Sequence, residues 1–288
     1  MKSMQIAFWS PWHGRGTTSN CIATALSFSL NYNANCLLTH SQYIRSTMEQ
    51  AFLSGDENED ILKFNDTGID SLERLVKGGQ LLPEDFNNYC RVLIKDRLDL
   101  LTGSKKSNKT LYSSSIGSTI LNILDTAKQC YDFTFIDVNS GVFDDITKKV
   151  LKSSDIVVVT LEQNEKVLND FFQEQYKLFE NQTVIICLGK FDTKSKCSKK
   201  YINVNFNCES TIYGIPYCTD FLDAINNHQV LKFFYTNSSY PKKENIFFFD
   251  EIHALSNRIA EISNLSNNDV IKDKLKIKTG ILTLFKGI

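Results

Sequence analysis

The segment after the first apolar run of the chain has the residue types of a phosphate-binding turn. From residue 10 to residue 20 it reads Ser-Pro-Trp-His-Gly-Arg-Gly-Thr-Thr-Ser-Asn. Gly14 and Gly16 allow a turn that points backbone N–H groups inward, and a helix beginning near Thr17 would add its positive dipole end and a hydroxyl for Mg²⁺. The same pattern also fits an ordinary strand-to-helix turn capped by Thr17 or Thr18.

The segment departs from the usual P-loop pattern. A G-x-x-x-x-G-K-[ST] motif ending at Thr17 requires glycine at positions 10 and 15 and lysine at position 16, where the chain has Ser10, Arg15 and Gly16. Arg15 could serve as the phosphate cation in place of the missing lysine, because a guanidinium pairs phosphate oxygens bidentately.

The elements around this turn predict how it is positioned. Apolar, β-rich runs alternate with segments of helical period, which is typical of a parallel sheet covered on both faces. The predicted strands are Met4 to Trp9, Asn35 to Thr39, Leu98 to Leu101, Phe133 to Asp137, Ile156 to Leu161 and Thr183 to Leu188. The predicted helices are Thr17 to Leu30, Ser115 to Tyr131, Phe143 to Lys152 and Glu165 to Phe179. We therefore expect a doubly wound, mostly parallel α/β fold.

Composition narrows the class of protein. The 288 residues are 42% hydrophobic and 23% charged, which excludes a disordered or fibrous chain. Subtracting 33 acidic from 32 basic residues gives a net charge of −1, so we do not expect a nucleic-acid partner. The eight cysteines show no C-x-x-C spacing, and most are predicted to be small core residues. We expect a cytoplasmic protein.

The order of motifs resembles the ParA/MinD family of deviant Walker P-loop ATPases. In that family the first strand leads into K-G-G-x-G-K-T-T, a later strand ends in the aspartate of a D-x-x-x-G switch, and the next reads D-x-v-v-v-t. This chain has the D-x-x-x-G spacing from Asp137 to Gly141, a matching strand from Asp155 to Thr160, and Ile215-Pro216-Tyr217 before a helical segment from Phe221 to Val230. The resemblance spans roughly Met4 to Ile262 and is nearest to TadZ-like and mobile-element members with eroded loops.

The resemblance implies a role for individual residues. Thr17 falls on the hydroxyl that ligates Mg²⁺, Thr18 on a contact to the α-phosphate, and Asp137 on the catalytic switch aspartate that holds Mg²⁺ through water. The other cofactor-binding positions that it implies are Gly14, Arg15, Gly16 and Pro216. The implied cofactors are ATP or ADP with Mg²⁺.

Both lysines of the family motif are missing from this alignment. The signature lysine falls on Pro11 and the ordinary P-loop lysine on Gly16. The acidic residue that orients water after the second strand meets residues 39–42, where His40 could act as a base instead, although a polar surface histidine is the simpler interpretation. Loss of the cations that stabilise charge on the γ-phosphate slows phosphoryl transfer by orders of magnitude.

Two functions remain open at this point. The first is a homodimeric, nucleotide-binding positioning protein with weak or no ATP hydrolysis, which localises a secretion, conjugation or partition assembly. The alternative is a pseudo-ATPase scaffold that keeps the fold and no longer binds nucleotide. A DNA-partitioning ATPase would normally have more basic surface and both lysines.

The end of the chain is predicted to be a basic appendage. From Lys272 to Ile288, five lysines and one aspartate give a local charge of +4. On a helix the apolar residues form one arc and lysines face the other way, as in segments that lie on anionic membranes. The alternative is that this arc packs back on the body. We therefore divide the chain into a P-loop ATPase domain, 1–264, and a tail, 265–288, with possible peripheral membrane contact through 272–288.

Overall fold

A single sheet organises the part of the chain that the structure, a computed structural model, describes: residues 2–43, 47–53, 67–141, 143–179, 182–208, 210–265 and 270–271. Within these residues its strands are β1 (Met4–Trp9), β2 (Cys36–His40), β3 (Arg91–Ile94), β4 (Leu98–Leu101), β5 (Phe133–Asp137), β6 (Ile156–Leu161), β7 (Thr183–Gly189) and β8 (Ile212–Ile215). The order across the sheet is β3-β4-β2-β5-β1-β6-β7-β8. Neighbouring strands are parallel except for β3 and β4.

Helices connect the strands and cover the sheet. The described α-helices are α1 (Thr17–Asn31), α2 (Ile69–Lys77), α3 (Pro83–Phe86), α4 (Lys109–Cys130), α5 (Asp145–Ser153), α6 (Glu165–Asp170), α7 (Lys199–Asn205), α8 (Thr219–Asn226), α9 (Val230–Asn237) and α10 (Ile246–Ile262). Short 3-10 segments occur at Glu49–Ala51, Asn87–Tyr89, Tyr176–Phe179 and Lys243–Asn245, and a π-helical segment at Phe171–Gln175.

The central strands of the sheet are buried on both faces, which explains their near-continuous apolar sequences. Successive side chains of a strand point to opposite faces, so Ile6 and Phe8 of β1 enter one core while Ala7 and Trp9 enter the other. The first core also contains apolar residues of α1, α8, α9 and α10, and the second contains those of α4 and α5. The predicted doubly wound α/β fold is confirmed.

The predicted strands lie where the sequence placed them, to within one residue at either end. The edge strands β3 and β8, of four residues each, were not predicted; Val92 of β3 is 60% exposed. The segment predicted as one helix from Phe221 to Val230 is two helices, because the backbone leaves the helical conformation at His228, whose φ is 58°. Six of the eight cysteines are buried, as expected for core residues.

The last described residues return to the end of α1. Val270 pairs with Tyr32 in an isolated antiparallel bridge, and the Ile271 N–H donates to the Asn31 carbonyl at 2.8 Å. The predicted amphipathic segment, 272–288, lies outside the described residues. In the ranges that the structure describes, no helix is both long and apolar enough to cross a membrane.

The aromatic cluster between α8, α9 and α10 offers a test of this packing. Phe249 is 1% exposed and its ring lies 5.5 Å from that of Phe233 and 5.2 Å from that of Phe234, whereas Phe247 on the same helix is 36% exposed. We expect Phe249→Ala to lower the free energy of unfolding by about 3–5 kcal/mol, because it leaves a cavity. Phe247→Ala should cost less than half as much. Equal losses in denaturant unfolding would contradict this placement of α10.

Candidate phosphate-binding site

The loop between β1 and α1 presents unpaired backbone donors. Gly14 and Gly16 have φ values of 75° and 85°, in the left-handed region that favours glycine, and Gly16 is the N-cap of α1. The Trp12 N–H donates to Ser10 Oγ at 3.2 Å, and the Asn20 N–H to the Gly16 carbonyl at 2.8 Å. Between them, the amides of residues 13–19 donate to no acceptor among the described residues. A run of unpaired donors at a helix N-terminus is a feature of anion-binding sites, so this loop is the candidate phosphate-binding site.

Two neighbouring loops press closely against this turn. The Gly141 N–H donates to the Ser10 carbonyl at 2.9 Å, and a Cβ at Gly141 would lie 2.5 Å from His13 Cδ2. A Cβ at Gly189, the last residue of β7, would overlap the Arg15 carbonyl oxygen. Glycine is required at Gly189, where the neighbouring atom is backbone, and is favoured at Gly141 by its φ of 71°.

Asp137 lies beside the loop, at the carboxyl end of β5. Its carboxylate is buried, and Oδ2 accepts a hydrogen bond from Thr18 Oγ1 at 2.7 Å and another from Gln42 Nε2. Oδ1 is also buried and has no partner among the described residues. Burial raises the pKa of Asp137 to about 7, although the hydrogen bonds from Thr18 and Gln42 and the charge of His40 oppose this rise.

These groups fit a hydrated magnesium ion. Mg²⁺ prefers oxygen ligands and keeps several of its waters, and the unpartnered Asp137 Oδ1 and the Thr18 hydroxyl supply oxygens next to the loop amides. A buried carboxylate oxygen without a partner is costly, so a cation or its water would compensate it. Residues Asp137 and Thr18 would therefore hold the ion, and the loop amides would hold the phosphates.

The structure pairs Asp137 with Thr18, whereas the sequence assigned the metal-binding hydroxyl to Thr17. The Thr17 hydroxyl instead accepts a hydrogen bond from Ser140 Oγ at 3.4 Å. If Thr18 takes the first threonine of K-G-G-x-G-K-T-T, then Gly14 and Gly16 coincide with glycines of the motif. Trp12 and Thr17 then occupy the two lysine positions. The geometry thus favours a register shifted by one residue.

The two cations near the loop differ in their partners. Arg15, predicted as the phosphate cation, forms an ion pair with Glu162, the residue after β6, and its Nε is buried without a partner among the described residues. Lys190, the residue after β7, donates from Nζ to the Gly14 carbonyl at 2.8 Å. Sequence reasoning missed Lys190 because it lies 176 residues from Gly14 along the chain.

His40 and Pro216 take no direct part in this arrangement. His40 is 5% exposed, its Nε2 lies 2.7 Å from Glu49 Oε1, and its Nδ1 accepts the Gln42 N–H at 3.2 Å. Because both ring nitrogens are engaged in the interior, the surface interpretation of His40 was wrong, and the ring offers no nitrogen to an attacking water. Pro216 follows β8, three strands from β1 in the sheet order, so the structure does not bring it to the loop.

Comparisons with known proteins agree with the fold. No family model matches the chain, and no curated protein matches it. Among solved structures, a ParA family ATPase from Chlorobium tepidum TLS is 17% identical, with a TM-score of 0.67 over 88% of this chain and 98% of that one. MinD from Pyrococcus horikoshii OT3, complexed with Mg-ADP, is 13% identical, with a TM-score of 0.65 over 91% and 98%.

A third solved structure is a putative plasmid partition protein from Borrelia burgdorferi B31 bound to AMPPNP. It is 17% identical, with a TM-score of 0.61 over 90% of this chain and 100% of that one. At these identities, the similarity establishes the ParA/MinD-type P-loop α/β fold of the chain.

The buried Asp137 carboxylate should make stability depend on pH. Because its pKa is raised to about 7, the folded protein keeps a proton that the unfolded chain loses above its ordinary pKa, so this contribution to stability disappears as pH rises from about 4 to above 7. Between pH 5 and pH 8, without metal, we expect wild type to lose up to roughly 2.5 kcal/mol of unfolding free energy relative to Asp137→Asn, since about two pH units below the folded pKa of about 7 are crossed at about 1.36 kcal/mol each. Denaturant titrations of both proteins measure this difference.

The exposed Asp125→Asn variant, on α4, is the matched control and should follow the wild-type profile. Parallel profiles for wild type and Asp137→Asn would contradict the raised pKa.

Proposed function

We propose that the chain is a nucleotide-dependent positioning protein that binds ATP or ADP with Mg²⁺ at the loop of residues 10–19. The observation that carries this proposal is the run of unpaired amides at residues 13–19 beside the unpartnered Oδ1 of Asp137. Phosphate oxygens would accept from the amides, and a magnesium ion would compensate the carboxylate. Solved proteins with this fold include one complexed with Mg-ADP and one bound to AMPPNP.

Each residue has a definite role in the proposed site. Gly14 and Gly16 let the backbone surround the phosphates, Thr18 gives its hydroxyl to Mg²⁺, and Asp137 holds the ion directly or through water. Gln42 fixes the Asp137 carboxylate from the end of β2. When bound, the ion supplies neutralisation of phosphate charge. Pro216 follows β8, which lies beyond β6 and β7 on one side of β1. In this proposal the nucleoside would be bound on that side.

Hydrolysis by this site would be slow or absent. Phosphoryl transfer is catalysed almost wholly by positioning and charge neutralisation. The lysine position of the loop is Gly16 or Thr17 in the two registers, and the Arg15 guanidinium is already paired with Glu162. Nucleotide binding would be retained, because it depends on main-chain amides. Hydrolysis would be slowed, because the usual lysine is not there to stabilise the negative charge on the γ-phosphate.

The proposal also includes a wider role, which the fold and the charge of the tail support. In this proposal the domain of residues 1–264 forms a homodimer, resembles TadZ-type proteins, and localises a secretion, conjugation or partition assembly in the cytoplasm. In the same proposal, the tail, 265–288, contacts the inner face of the membrane through 272–288, the segment for which the sequence predicts a basic amphipathic helix. The support is the shared fold with ParA, MinD and plasmid partition proteins together with the local charge of the tail.

A second candidate is a scaffold that no longer binds nucleotide. The Arg15–Glu162 ion pair and the bond from Gln42 Nε2 to Asp137 Oδ2 favour it, because both satisfy charged groups of the site from within the protein. In such a scaffold the loop would serve only to join β1 to α1.

Calorimetric titration with Mg-ADP, Mg-ATP and AMP separates the two candidates and also tests the register. We expect binding of Mg-ADP to wild type, and an affinity about tenfold or more weaker in Thr18→Val, because a hydroxyl that ligates or orients the metal is lost. Thr17→Val is the matched control and should weaken Mg-ADP binding less. In EDTA, which removes Mg²⁺, the difference in ADP affinity between Thr18→Val and wild type should shrink.

No heat and no thermal shift with any of these nucleotides would favour the scaffold. A larger loss in Thr17→Val than in Thr18→Val would restore Thr17 as the metal-binding residue.

A further inference from the structure

A lysine from a distant part of the chain reaches the phosphate-binding loop. Lys190 follows β7, and its Nζ donates to the Gly14 carbonyl at 2.8 Å. Gly14 is one of the residues whose amide has no acceptor among the described residues. The ammonium therefore lies next to the loop whose amides would bind phosphate oxygens.

The backbone at Lys190 is in an unfavourable conformation. Its φ is 53°, in the left-handed region that glycine and asparagine adopt more readily than residues with longer side chains. The side chain is exposed, so no burial of its apolar stem compensates this conformation. The preceding Gly189 lies against the Arg15 carbonyl, which brings the end of β7 onto the loop. A strained, exposed residue that reaches a ligand-binding loop indicates a functional constraint.

The charge of Lys190 is available to a ligand. Within the described residues its ammonium has no carboxylate partner, and a hydrogen bond to a carbonyl uses one of its three donors and leaves the charge unneutralised. Arg15 differs, because the Glu162 carboxylate already neutralises its guanidinium. Of these two cations, Lys190 is the one that can approach an anion without first breaking an ion pair.

We propose that Lys190 is the phosphate-binding cation of this site, where it takes the place of the lysine that the loop lacks. Its ammonium contacts the polyphosphate chain of a nucleotide bound on the amides of residues 13–19. This inference rests on the proposed nucleotide site and adds the residue that supplies its positive charge.

The test compares Lys190→Asn and Lys190→Arg with wild type, using Mg-ADP and Mg-pyrophosphate as ligands. Pyrophosphate has no nucleoside, so its binding reports the phosphate contact alone. We expect Lys190→Asn to weaken binding of both ligands by about tenfold to a hundredfold, since a bond to a charged group is lost. Lys190→Arg should stay near wild type. The affinity of wild type should also fall more steeply with salt than that of Lys190→Asn.

Unfolding without ligand separates this role from a structural one. Asparagine tolerates a positive φ, so Lys190→Asn should unfold at the wild-type temperature or above it. If it unfolds at a lower temperature, Lys190→Gln, which keeps a donor for the Gly14 carbonyl, is compared with Lys190→Arg instead. Unchanged affinity for both ligands, or a loss confined to Mg-ADP, would overturn the role of Lys190. If wild type binds neither ligand, the proposed nucleotide site itself fails.

Discussion

The site depends on one buried carboxylate, of which a single oxygen has hydrogen-bond donors among the described residues. Asp137 Oδ2 accepts from Thr18 and Gln42, while Oδ1 has no partner among the described residues. Strand register creates this arrangement, because Asp137 pairs with Phe8 of β1 and with His40 of β2. The segments that leave those two strands must therefore pass over the carboxylate.

Close approach of backbones then shapes the loop. Gly141 and Gly189 come from the ends of β5 and β7, and side chains at either position would collide with His13 or with the Arg15 carbonyl. The loop is thus held by neighbours on both sides of β1, while its own amides stay unpaired. In the proposed site the phosphate donors are main-chain amides, which do not depend on side-chain identity and so do not require the lysines of the motif.

Charge in the site comes from the ends of neighbouring strands. Glu162 after β6 neutralises Arg15, Lys190 after β7 reaches Gly14, and Gln42 after β2 bonds to Asp137. In a parallel sheet the carboxyl ends of the strands share one edge, so residues that are far apart in sequence meet there. The electrostatics of the loop are therefore a property of the whole edge of the sheet.

The sequence predicted most of the sheet. The buried strands β1, β5 and β6 have nearly continuous apolar runs, and their ends were predicted as observed. The ends of the four-residue strand β4 were also predicted as observed. The short edge strands β3 and β8 have no such run and were missed.

Within the site, prediction from sequence was limited by the alignment of the loop with the family motif and by contacts between residues that are distant in sequence. Counting from the missing lysine assigned the metal to Thr17, whereas the hydrogen bond to Asp137 comes from Thr18. No local pattern could show that Glu162 pairs with Arg15, that Glu49 engages a buried His40, or that Lys190 reaches the loop. Those contacts depend on which strand ends are neighbours.

The most direct measurement is a ¹H–¹⁵N NMR titration of the full chain with Mg-ADP that follows the backbone amides of the loop. If those amides donate to phosphate oxygens, the Gly14 and Gly16 amide protons should move downfield in a saturable manner, and the exposed amide of Asp125 should not move. Loop resonances that stay unchanged at millimolar Mg-ADP would contradict the account.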